Sequence, residues 1–175
     1  MSHAPSPRDF GPLPDEPLTI EQATERMAAA GKFKEILDAV VGLGPAGRRM
    51  MDGMRVLTAG SLTETEFTVL MPLLLQTWFA FVRPGSAPDL RYGTMTAHFR
   101  TELGRIEGNR SGEGSDDGNF FRDARQPAIL QILVGVVINI AKVEPEETRP
   151  RLDSFAIYVA ALKTLVNELD FAVRQ

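Results

Sequence analysis

The chain has 175 residues, 43% of them hydrophobic and 24% charged, with a formal net charge of −4. This suffices for one domain with a substantial core, and the negative balance excludes a molecule drawn as a whole to nucleic acid or to an anionic membrane. The absence of cysteine excludes disulfides, thiolate metal sites and cysteine nucleophiles. Two histidines, His3 and His98, are too few for a multi-histidine metal site.

Five of the twelve prolines, Pro5, Pro7, Pro12, Pro14 and Pro17, fall within residues 1–18. Proline lacks a backbone donor and fixes its own dihedral, so this stretch reads as an extended arm. Phe10 and Leu13 are its sizeable apolar residues before Leu18 and are candidates for docking on the body or on a neighbouring subunit. The arm has no apolar core segment of the signal-peptide kind, so an intracellular, cytoplasmic protein is expected.

From Thr19 the pattern becomes helical. Thr19 and Gln22 form a capping-box signal followed by Ala23, Met27 and Ala30, with Gly31 expected to break the helix. Phe33, Ile36, Leu37, Val40 and Val41 predict a second short helix, and Met50, Met51, Met54 and Leu57 a third. Between them Gly42, Gly44 and Gly47 fit the spacing G-x-G-x-x-G, the phosphate-binding turn of dinucleotide folds. The residues before it carry helical spacing and no series of strands follows. A helix corner with Pro45 opening the next helix explains the same glycines.

Overlapping capping boxes at Ser61–Glu64 and Thr63–Glu66 open the segment 67–82, which is apolar all round and predicts a buried helix, kinked at Pro72 unless that residue falls in the first turns. After a loop at 83–91, Met95, Phe99, Leu103 and Ile106 predict a helix from about residue 92 or 94 to 106. Residues 107–119 include four glycines and no large apolar residue, and read as a flexible loop. Residues 128–141 are rich in β-branched side chains, yet length and context favour a buried helix. On it Gln131, Gly135 and Asn139 form a small, polar stripe that would let another backbone approach. Finally Leu152, Phe155, Val159, Leu162, Val166, Leu169 and Val173 alternate three and four apart, the spacing of a helix seam, either within the subunit or between subunits.

Three features carry chemistry. The fingerprint at 42–47 would imply a small nucleotide-dependent enzyme. Residues 33–57, with Arg48, Arg49 and Arg55, would suit a helix-turn-helix regulator that binds DNA. Around the glycine-rich loop, Arg100, Arg105, Arg110, Arg122 and Arg125 with Phe120 and Phe121 offer phosphate contact and base stacking. Six arginines and six acids nevertheless balance between residues 91 and 125, so no net basic footprint exists there. "SDDGN" at 115–119 lacks the alternate ligands and closing Glu of a calcium loop. The two most apolar runs are shorter than the ~20 residues that span a bilayer.

The expectation is an all-α protein: a single helical domain over residues 19–175, a bundle of six or seven helices, preceded by a Pro-rich arm at 1–18. The expected function is that of a non-enzymatic, self-associating interaction or assembly subunit needing no cofactor or metal. Its sharper form is a coat- or nucleoprotein-like protein that touches RNA or DNA through the Arg-flanked loop. Self-association is assigned to Phe10, Leu13, Phe155, Val159, Leu162, Val166, Leu169 and Val173, and no membrane partner is expected.

Overall fold

The computed structural model describes residues 10–33, 43–83, 85–110 and 119–175. Among these residues the chain is all-helical, with seven helices and no strand. They are α1 (Ile20–Phe33), α2 (Gly44–Thr58), α3 (Glu64–Phe81), α4 (Tyr92–Arg110), the single turn α5 (Asn119–Arg122), α6 (Pro127–Val143) and α7 (Leu152–Ala172). The short helix expected over 33–41 lies mostly outside the described residues.

α7 is the axis of the bundle. It packs against α3, α4 and α6, while α1 closes the far side against α3 and α6. Leu162, Leu165, Val166 and Leu169 are fully buried, and Trp78, Leu70 and Leu74 of α3 and Ile129 and Leu133 of α6 belong to the same core. Three faces of α7 are therefore apolar because three helices surround it.

Helix starts follow the local chemistry. Thr19 and Gln22 cap α1 reciprocally, with bonds of 3.0 and 3.2 Å. Thr63 and Glu66 form the second capping box, while Glu64 instead takes an ion pair from Arg55. Pro72 lies inside α3, and the helix continues through it. α6 begins with Pro127, where a missing N–H costs little.

Two boundaries differ from the sequence expectation. α1 runs through Gly31 to Phe33. A Cβ at Gly31 would stand 3.1 Å from Gln76 Nε2, and that amide donates to the Met27 carbonyl at 2.8 Å, so the glycine admits α3 rather than ending the helix. α4 likewise continues to Arg110, so residues 107–110, expected as loop, complete a helix. Residues 111–118 lie outside the described residues.

Candidate functional site

Two glycines of the apparent fingerprint, Gly44 and Gly47, serve helix initiation and packing, and Gly42 lies outside the described residues. Gly44 opens α2 at φ +65°, a conformation that glycine adopts freely, and Pro45 follows in the first turn. Gly47 is buried; a Cβ there would reach 2.5 Å from Leu43 and 3.2 Å from Trp78. Gly47 thus faces the core rather than a phosphate. On the same helix Met50 and Met54 are buried, Arg48 and Arg49 are exposed, and Arg55 pairs with Glu64 over the Phe67 ring.

Two of the arginines around the loop, Arg105 and Arg125, meet carboxylates. Lys163, fully buried on α7, donates to Glu102 Oε2 at 2.8 Å and to Asp123 Oδ1 at 2.6 Å. Arg105 bonds the other oxygen of Asp123 and approaches Glu102. The Phe120 ring lies 4.1 Å from Lys163 Nζ and meets Phe121 edge to face, so Phe120 covers a cation of its own chain. Burial acts to raise the Asp123 pKa, but bonds from Arg105 and Lys163 outweigh it and hold the carboxyl below its ordinary value.

Beside this cluster Arg91 forms a two-pronged pair with buried Glu168, at 2.8 and 3.0 Å. Its guanidinium lies 3.6 Å from the Phe171 ring centre, and Arg125 stands 5.5 Å from that centre. Arg125 also stands 3.7 Å from Asp170, which Arg174 and the buried Gln126 both bond. Arg100 and Arg122 are exposed. The side chain of Arg110 lies outside the described residues.

The seam residues of α7 divide into two groups. Leu162, Val166 and Leu169 are fully buried, and Val173 packs at the core's edge, so this half of the seam lies inside the subunit. The other half, Leu152, Phe155 and Val159, lines an open apolar groove of about 460 Å³ with Ile106 of α4 and Val137, Ile138 and Ala141 of α6. Leu152 is 77% exposed and Ile138 51%. At the opposite end of the bundle Phe10 lies over Arg26 and Leu13 packs on the core, so the described part of the arm docks on its own body.

The outer side of α6 adjoins the groove at Ile138. Ile129, Leu130, Leu133 and Val137 are buried, whereas Gln131, Gly135 and Asn139 occupy the solvent side. Helical geometry places Ile138 on one flank of that stripe and Val136 on the other, both exposed. A Cβ on Gly135 would meet nothing within 4 Å, so this face has no neighbour among the described residues. The stripe is readable from residue spacing. The contributions of Ile106 and Leu152 are not, because they arrive from helices distant in sequence.

Among the described residues no cluster of His, Asp and Glu is arranged to hold a metal, and no helix is long and apolar enough to cross a membrane. No protein-family model matches the chain, and no match emerges among curated proteins or solved structures.

Proposed function

We propose that the chain is a non-enzymatic, self-associating subunit, and that its contact face is the outer side of α6 with the adjoining groove against α7. One observation carries this reading: Val136, Ile138 and Leu152 stand exposed, and Ile138 and Leu152 border an open apolar groove between α6 and α7. A contiguous exposed apolar patch marks an interaction surface.

The occupant is a second copy of the chain. The same patch presents a ridge, Ile138 and Leu152, and the groove those residues border, which is the self-complementarity a two-fold contact requires. Gly135 at the centre of the stripe permits two α6 helices to cross closely. Lys142 at the groove and Glu146 and Glu147 in the connection after α6 supply both signs of charge at the rim. Arg105 and Arg125 already stand against carboxylates, which counts against a nucleic-acid contact through them.

The test is light scattering coupled to size-exclusion chromatography across a range of protein concentrations, with absorbance followed at the nucleic-acid and protein maxima. A dimer or larger species with a protein-like absorbance ratio is expected. Ile138→Asp and Leu152→Glu should each yield a folded monomer whose helical content is unchanged and whose unfolding midpoint no longer depends on protein concentration. A wild-type monomer at every concentration overturns the reading.

A further inference from the structure

The end of the molecule opposite the α6 groove holds a second cavity of about 420 Å³. The strap formed by residues 11–13 passes over it, and Arg26 of α1 and Arg83, just beyond α3, line it together with Leu13, Phe81, Ser86 and Val173. It shares no residue with the face proposed for self-association.

Arg26 is unlike the other arginines of this end. It is 7% exposed, yet no carboxylate among the described residues pairs with it. One terminal nitrogen donates to the Gly11 carbonyl at 2.8 Å, and its guanidinium carbon stands 5.4 Å from the Phe10 ring centre. A guanidinium has five N–H donors, so most of its donor capacity remains, and it borders a cavity. The neighbouring charge is also positive: a terminal nitrogen of Arg83 approaches Gly11 so closely that a Cβ there would stand 3.9 Å from it. Burial, and then repulsion from Arg83, lower the Arg26 pKa. By contrast Arg91, Arg151 and Arg174 each sit on an acid. Two converging guanidinium groups without a described counter-charge, one of them buried, are an arrangement that an oxyanion stabilises, because it supplies the missing charge and accepts bidentate hydrogen bonds.

We propose that the cavity between the 11–13 strap and Arg83 is a binding site for a small organic anion. Its carboxylate or phosphate is held by Arg26 and Arg83, and its apolar body lies against Leu13, Phe81 and Val173. The volume is that of a small-ligand pocket, and its lining combines apolar side chains with the convergent polar groups of Arg26, Arg83 and Ser86. Ser86 adds a hydroxyl at the mouth.

The test is isothermal titration of the full chain in chloride buffer with phenyl phosphate, benzoate and inorganic phosphate, and with benzyl alcohol as the neutral control. Saturable one-site binding of at least one aromatic anion, with no heat from benzyl alcohol, is expected. Arg83→Ala should weaken it about tenfold and Arg83→Glu should abolish it. Because Arg83 is exposed, these variants keep the test independent of Arg26→Met, which removes the buried charge and could impair folding. Arg49→Ala, an exposed arginine elsewhere, should leave binding unchanged. Binding of phenyl phosphate alone assigns the site to phosphate esters, and binding of benzoate alone to carboxylic acids. The proposal is overturned if no anion produces heat or raises the unfolding midpoint up to about 10 mM, if benzyl alcohol binds as well as benzoate, or if Arg83→Glu binds undiminished.

Discussion

Glu66 and Arg151, 85 residues apart, meet in a two-pronged ion pair of 2.8 and 3.0 Å that fastens the start of α3 to the start of α7. The same carboxylate accepts the Ser154 hydroxyl at 2.6 Å and the Thr63 N–H at 2.9 Å, and the Glu66 carbonyl accepts the Tyr158 hydroxyl at 2.6 Å. One residue is therefore the capping partner of α3 and the anchor of α7. The Arg151 guanidinium, with smaller help from Ser154 and Thr63, holds the Glu66 carboxyl far below its ordinary value of 4.5 despite burial.

Glu66→Gln should destabilise the protein by about 2–4 kcal/mol, since it leaves a buried donor set without its charge. The folded-state pKa is depressed, so this contribution is fully present above the ordinary carboxylate value. It is lost as the pH falls below about 4.5 toward the folded-state pKa. Urea unfolding of both proteins at neutral pH and at successively lower pH checks this: the difference between them should shrink as acid is added.

Lys163 is the only charged side chain of α7 that reaches two carboxylates from the core, Glu102 and Asp123. Lys163→Met should cost about 3 kcal/mol because mostly buried Glu102 loses its nearer cation and keeps only Arg105, 3.5 Å away. Adding Glu102→Gln should recover part of that loss, so the two effects should be strongly non-additive. A double-mutant cycle by chemical denaturation measures the coupling.

Gly53 sits in α2 beneath the Tyr92 ring, which a Cβ at that position would overlap. Helix propensity favours alanine by about 1 kcal/mol, whereas overpacking costs about 1–3 kcal/mol. Gly53→Ala should therefore destabilise by about 1 kcal/mol. In a Tyr92→Ala background the same change should become stabilising, which thermal unfolding of the four proteins resolves.

Gln126 is fully buried. Its amide nitrogen donates to Asp170 at 2.7 Å and its oxygen accepts the Leu18 N–H at 2.9 Å. Gln126→Leu breaks both bonds and should cost about 2–3 kcal/mol. Because Leu18 ends the docked part of the arm, limited proteolysis should cut residues 10–18 faster in the variant while the helices stay intact.

What the sequence determined by itself was local in origin. Capping pairs such as Thr19–Gln22 and Thr63–Glu66 satisfy their own backbone, and three-and-four spacing reports which side of a helix is apolar, so the all-α class and most helix starts were legible. The β-branched run at 128–141 is a helix, as its length implied. Gly31 and residues 107–110 were misplaced because a glycine reads as a break until its neighbour is known. Gly31 gives way to Gln76, a partner 45 positions away that spacing does not announce.

Only the tertiary structure decided which acids meet which arginines. Charge balance between residues 91 and 125 was visible, but not that Arg105 meets Asp123, that Arg91 meets Glu168 or that Arg26 meets no described acid. It also divided one continuous heptad stripe into a buried half, Leu162 to Leu169, and an open half, Leu152 to Val159. The reason is physical: spacing sets the side of a helix on which a residue lies, whereas burial and pairing depend on what the rest of the chain brings to that side.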